Sequence, residues 1–439
     1  MKSSILTCIV GLICVVSGAQ NFELLTKEKA VAEVLENNFG VEIAKNNVAI
    51  ADNNQGVLNS GFLPSLTGNA GASYNKENQE VTFQDGTVNT VDGAETKRYN
   101  ASLNLNYTLF DGLGRWYDYK RLKEEYNLSE LQARETIETT LLQLFSVYFE
   151  VARLTENEEV LKQTLQNTKD RLKRAQYAFE YGQVNKLNVL NAEVDLVTDS
   201  INLMNGHQQL LNSKRDLMVV LNGELERGFA VDTTVSFLGT LKMESFIQTA
   251  DTNNIRLLQA QKNTKINEYN LKANKSVFLP TVGLSGSYGW NDGFFPSTSF
   301  LAVNNTTGLS AGVSLTWNLF DGGSGITSVK NAKIQLDSQE ILYNQIKTEV
   351  KRDIANANGN YQNRLAIYKL QEQNVITATN NYERSLERYK LGQITSVELR
   401  QAQINLLNAK TSKNLAKYQA KLSELELLQL TGQLLNVEL

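Results

Sequence analysis

A chain that repeats the same punctuation twice, and that holds only three prolines in 439 residues, is constrained to fold as a duplicated set of long helices. Phe62-Leu63-Pro64 returns as Phe278-Leu279-Pro280, and Leu109-Phe110-Asp111-Gly112 returns as Leu319-Phe320-Asp321-Gly322. Residues 179–192 share a design with 389–402: Gly182 and Gln183 stand for Gly392 and Gln393, and Ala192 for Ala402. Several landmarks recurring in one order imply one structural unit used twice. The division reads as a first repeat over 20–222, a linker over 223–243 and a second repeat over 244–439.

Within each repeat the pattern alternates between helix and strand. Thr26 is placed to cap a helix carrying Ala30, Val31, Val34 and Leu35, with a break near Asn37-Asn38. After Pro64 the period drops to two, giving strands at about 65–75 and 99–110 on either side of a polar stretch. Leu103, Leu105, Tyr107 and Leu109 then oppose Ser102, Asn104, Asn106 and Thr108. From there to Tyr181 nothing breaks a helix, and at ~1.5 Å per residue such a rod is roughly 100 Å long. That exceeds any globular domain.

Beyond Gly182, the residues Leu187, Leu190, Val194, Val197, Ile201 and Met204 step three and four apart, the spacing of a coiled-coil seam. A mixed segment with strand character at 231–241 separates the halves. The second half repeats the order, with helix over 244–277, strands at about 281–291 and 308–319, a rod to Leu391 and a return helix to about Leu430. Along this rod Ile346, Val350, Ile354, Ala357, Tyr361, Leu365 and Tyr368 follow an eleven-residue step, whereas Tyr368, Val375, Tyr382 and Tyr389 step by seven. The rod is therefore expected to change its twist toward the Gly392 turn.

Composition narrows the functions. With 43 basic against 47 acidic residues and no long basic run, a nucleic-acid partner is not indicated. Lys2, the apolar run Ile5–Val16 and Ser17-Gly18-Ala19 read as an export signal, 1–19, cleaved after Ala19; the run is short for a membrane span of about 20 residues. Both cysteines, Cys8 and Cys14, lie inside it, so the mature chain has no disulfide, thiol nucleophile or cysteine metal site. His207, the only histidine, sits in a polar helical context and reads as a solvated residue. Catalytic residues, metal ligands and cofactor-binding motifs are not expected, and neither is enzyme activity.

Strands of nine to eleven residues match the length that crosses a bilayer as tilted β-structure. Their polar faces carry Asn, Ser, Thr and Gly, and their apolar faces Leu, Val, Tyr and Trp, as for a wet lumen and a lipid exterior. Four strands cannot close a barrel, and open edges are not tolerated in lipid, so several chains must pool their strands. Dimer, trimer and tetramer give 8, 12 or 16 strands, and the sequence alone does not choose. Two rival architectures fit less well. The long rods argue against a porin with short turns, and a trimeric coiled-coil tether or adhesin would carry its strands at one end.

Taken together, the opening pattern Thr26–Asn38, the paired Phe-Leu-Pro and Leu-Phe-Asp-Gly sites and the two glycine turns resemble the TolC-like outer-membrane efflux proteins over essentially the whole mature chain. The resemblance implies a mainly α fold with a β-barrel portion: a homotrimer with a 12-stranded barrel in the outer membrane and a helical tunnel into the periplasm. It further implies that 223–243 joins an equatorial belt, and that the protein is the exit duct of a tripartite efflux or type I secretion system, with a periplasmic adaptor and an inner-membrane pump as partners. The tip turns Gly182, Gln183, Gly392 and Gln393 would meet the adaptor. Family members place acids and an arginine at the second turn as a constriction; here Glu398 keeps one acid, Gln401 stands for the second, Ile394 for the arginine, and Asn188 for an aspartate of the first turn. Three copies of Glu398 would make a negative ring; equally, Glu398 is a first-turn acid favoured by the helix dipole. Charge and helix packing both remain open as the means of closing the tip.

Overall fold

The computed structural model describes residues 23–437; the export signal over 1–19 lies outside the described residues. The chain runs β1 (Glu23–Leu25), α1 (Lys27–Asn37), α2 (Phe39–Gln55), β2 (Ser65–Thr82), β3 (Val88–Phe110), α3 (Gly114–Glu180), α4 (Lys186–Leu221), β4 (Phe229–Val231), α5 (Thr240–Asn253), α6 (Ile255–Asn274), β5 (Thr281–Phe294), β6 (Val303–Thr316), α7 (Ser324–Lys390) and α8 (Ser396–Leu430). The order α-α-β-β-α-α is used twice. Both long rods, α3 and α7, have 67 residues.

Asparagine sets the break in each pair of short helices. Asn38 caps α2 by accepting from the Gly40 N–H at 2.9 Å, and Asn254 caps α6 by accepting from the Leu257 N–H at 3.1 Å. Each also donates its amide to the end of the return helix of its own repeat, Asn38 to the Val220 carbonyl at 2.9 Å and Asn254 to the Leu430 carbonyl at 2.7 Å. One residue type thus ends a helix, starts the next and ties both to the long hairpin.

The four strands form one antiparallel sheet, ordered β2-β3-β5-β6, with β2 and β6 at its edges. Residues opposite each other in register share a face. One face carries Leu66, Leu103, Leu105, Leu284, Tyr288, Trp290, Leu309, Val313 and Leu315; the other carries serines, threonines, asparagines and glycines. The apolar face is largely solvent-exposed in the single chain, with Leu309 at 77%. Among the described residues no helix is long and apolar enough to cross a membrane.

The first hairpin is longer than its periodicity predicts. The polar stretch between the alternating runs is strand too: β2 and β3 stay paired from Ser65–Asn106 out to Thr82–Val88, through an irregularity between Glu77 and Gln79. Polar residues on both faces of a two-stranded ribbon leave no period to detect. The strand character expected over 231–241 shrinks to β4, which pairs in parallel with β1. The rest of that segment is held by side chains.

Those side chains border the main hydrophobic core, where Tyr148, Phe145, Phe149, Phe229, Leu425, Leu427 and Leu428 are fully buried, each contributing about 1.5–3 kcal/mol of hydrophobic stabilisation. The Tyr148 hydroxyl donates to the Leu25 carbonyl at 2.7 Å and accepts from the Asp232 N–H at 3.0 Å; burial pushes its pKa up to about 12. On α8, Lys417 donates to the Thr233 carbonyl at 3.0 Å and Lys421 to the Ser236 carbonyl at 2.9 Å. Glu424 accepts from the Leu238 N–H and from the Tyr361 hydroxyl, both at 2.9 Å. One face of α8 therefore substitutes for a strand partner.

On the rods, Val350, Ile354 and Tyr361 of the eleven-residue repeat are buried. The stripe on α4 does not face its own hairpin: Leu187, Leu190, Val194, Val197, Ile201 and Met204 are 46–71% exposed. The side of α4 that packs inside the chain is Val189, Ala192, Asp199, Leu210 and Leu217. Coiled-coil spacing identifies a seam without saying which partner fills it.

Candidate functional site

The two helical hairpins end side by side in near-identical turns. Gly182 (φ 70°) and Gly392 (φ 71°) adopt the left-handed conformation that closes a helix. In the first turn the Gln183 N–H donates to the Ala178 carbonyl at 2.8 Å and the Gly182 N–H to the Phe179 carbonyl at 2.9 Å. In the second, the Gln393 N–H donates to Arg388 at 2.9 Å and the Gly392 N–H to Tyr389 at 3.0 Å. These are paired Schellman closures. Asn185 and Thr395 then cap the return helices.

The turns frame an open groove of about 690 Å³, whose lining includes Gln183 and Asn188 from the first hairpin and Tyr389, Gly392 and Thr395 from the second. Asn188 and Glu398 hold equivalent places, each three residues after a cap. Asn188 donates its backbone N–H to the Asn185 side chain at 3.3 Å. The Glu398 carboxylate folds back onto its own helix, accepting from the Thr395 N–H at 2.7 Å and the Thr395 hydroxyl at 2.8 Å. That backbone bond, with the hydroxyl, holds its pKa below the ordinary carboxylate value. In the single chain Glu398 is thus engaged as a capping-box acid, while Gln401 donates to Asn405 at 2.9 Å.

The strongest electrostatic feature lies about three helical turns above the tip and was not read from the sequence. Arg400 of α8 grips Asp199 of α4 with both ends of its guanidinium, at 2.7 and 2.8 Å. Asp199 also accepts from Thr168 of α3 at 2.7 Å. Arg171 of α3 pairs with Asp195 of α4, and its other arm reaches the Ser396 carbonyl of α8 at 3.5 Å. Gln403 of α8 donates to the Thr168 hydroxyl at 2.9 Å and to the Thr164 carbonyl at 3.0 Å. Asp199, Arg171, Gln403 and Thr168 are each no more than 4% exposed. Arg400 thus binds hairpin to hairpin within one chain. Asp199 shares its buried helical face with Val189 and Ala192.

His207 is exposed, its Nδ1 2.8 Å from Glu158 Oε1. Among the described residues no group of three or more His, Cys, Asp and Glu side chains is placed to hold a metal.

A two-faced β-sheet carried on duplicated helical hairpins, each ending in a glycine turn, defines a protomer of an outer-membrane channel. The chain belongs to the outer membrane efflux protein family, whose model matches residues 30–223 and 246–433. It is 21% identical over 420 residues to the outer membrane efflux protein BepC of Brucella suis biovar 1, covering 94% of this chain and 88% of the relative. It is 22% identical over 377 residues to the outer membrane protein TolC of Vibrio cholerae, covering 85% and 83%. The crystal structure of the Campylobacter jejuni CmeC outer membrane channel superposes with a TM-score of 0.75 at 19% identity, covering 93% of this chain and 86% of that one, which shows the shared fold. The protein therefore resides in the outer membrane and serves efflux as an exit duct.

Proposed function

We propose that three copies of the chain close a 12-stranded barrel in the outer membrane and a helical tunnel beneath it, forming a passive conduit driven by an inner-membrane pump. The carrying observation is that the surfaces left bare in one chain are those a ring needs. The edges β2 and β6 lack a neighbour on one side, and the α4 stripe from Leu187 to Met204 lacks a partner. Pairing β6 of one protomer with β2 of the next satisfies every backbone group in lipid. Rods of roughly 100 Å carry the opposite end deep into the periplasm. A tether or adhesin has no need of a sheet with a polar inner face.

In this reading the segment 223–243 is part of an equatorial belt, and the groove between the turns at Gly182-Gln183 and Gly392-Gln393 receives a periplasmic adaptor. Three copies of Glu398, with Gln401 and Asn188 nearby, line the narrowest point; the folded-back carboxylate places its charge at the helix start. The pump sets the substrate. Purified trimers in a planar bilayer are expected to conduct, at least in variants with an opened tip, and single cysteines at 398 to cross-link between protomers. No conductance in any variant, or cross-links in the strands but never at 398, overturns the reading.

A further inference from the structure

Within the zone where all four strands lie side by side, from Lys97 to Asn106 of β3 and its partners, the polar face carries a single charged residue, Arg98. Register fixes this. Arg98 stands opposite Ser73 on β2 and Gly293 on β5, both on the polar face, whereas Lys97 pairs with Tyr74 and Phe294 on the apolar face. Arg98 sits at the end of the sheet farthest from the helices. Glu77 is on the same face farther out, beyond the four-stranded zone, where its carboxylate accepts from Gln79 at 2.8 Å.

The surroundings hold Arg98 in place on that wall. Its guanidinium lies over the Phe295 ring, 5.5 Å from the centroid. Phe295 begins the loop that joins β5 to β6, and its ring covers Gly293 so closely that a Cβ there would come within 2.7 Å. The loop is fastened to the ribbon of β2 and β3: Thr298 donates to Gln79 at 2.6 Å, and Asn89 donates to the Ser297 carbonyl at 3.0 Å. Thr298 of the loop and Ala94 and Thr96 of β3 are buried. The loop therefore folds over the polar face and fixes the one cation there.

We propose that Arg98 is the charge-selectivity residue of the outer exit, giving the barrel a preference for anionic solutes independent of the acids at the far tip. This rests on the trimeric-duct reading, in which three copies make a cationic ring. Three unit charges about 10 Å from a passing ion, in water and screened over one Debye length, enrich anions over cations on the order of fivefold. Neutral serines, asparagines and glycines along the rest of the wall offer no counter-charge.

The test is the reversal potential of full-chain trimers in a planar bilayer under a KCl gradient, in a conducting background with an opened tip. R98Q is expected to shift the permeability ratio about fivefold toward cations and R98E to shift it further, while R98K keeps the parental value. K97Q, one residue away on the opposite face, is expected to leave it unchanged. Conductance with the same reversal potential in R98Q and R98E overturns this inference alone, as does an equal shift from K97Q. A silent bilayer for every variant removes the duct reading and this inference with it.

Discussion

Replacing Arg400 with methionine tests whether the buried charges above the tip hold the two hairpins together. The substitution keeps an unbranched apolar stem of similar reach and removes only the fork that binds Asp199. Asp199 is 2% exposed and keeps a single hydrogen bond, from Thr168, while Asp195 keeps Arg171. Stripping one partner from a buried pair costs about 3–5 kcal/mol, because the remaining charge stays desolvated. The Arg400 side chain is 13% exposed, so some water reaches the pair and the lower end, ~3 kcal/mol, applies. Since ~1.4 kcal/mol is a factor of ten, amides opened by local separation of the hairpins should exchange roughly 100-fold faster. Hydrogen exchange read by mass spectrometry over 186–199 and 396–403 measures this without unfolding the protein. Adding Asp199→Asn to Arg400→Met should recover much of the protection, since the orphaned charge is gone. Exchange in Arg400→Met within threefold of the parent, or no recovery in the double variant, refutes the reasoning.

Four further outcomes are expected. Gly392→Ala, in open space but at φ 71°, should weaken the tip by ~1 kcal/mol, whereas Gly432→Ala, where a Cβ would drive into the Asn253 carbonyl, should impair folding outright; thermal denaturation ranks them. Because the pKa of Glu398 is lowered on folding, its contribution to the α8 cap is present above the ordinary carboxylate pKa and is lost as pH falls through and below about 4–5; Glu398→Gln should flatten that acid dependence of tip protection in hydrogen exchange. Val194→Asp on the exposed stripe should abolish the proposed trimer on size-exclusion chromatography while leaving the helical content of the chain intact. Lys421→Met, which leaves the fully buried Glu424 with only Leu238 and Tyr361, should cost about 3–5 kcal/mol and expose the segment 232–238 to limited proteolysis.

How much of this was legible in the sequence depended on whether a local period carried the information. Duplication, rod length and the glycine turns are local, and the observed helices α3 and α7 end at the turns that Gly182 and Gly392 announce. Apolar alternation marked the strands only where lipid and lumen impose unlike faces. The ribbon beyond Asn75 carries polar residues on both faces, so its pairing, set by backbone hydrogen bonds between β2 and β3, left no trace in hydropathy. The segment 232–238 was illegible for a related reason: its carbonyls and N–H groups are satisfied by Lys417, Lys421 and Glu424, some 185 residues away.

The α4 stripe shows a different limit. Its spacing marks a seam but names no partner, and in the single chain the stripe is exposed. The candidate site divides along the same line. Gly182, Gln183, Gly392 and Gln393 announced the turns through backbone needs that any sequence must meet. Arg171, Asp195, Asp199 and Arg400 have no motif, since a buried ion-pair network is defined by which helices meet, and three helices from both halves of the chain meet there. Arg400, one and a half turns along the return helix, directs its charge at the neighbouring hairpin rather than across the turn.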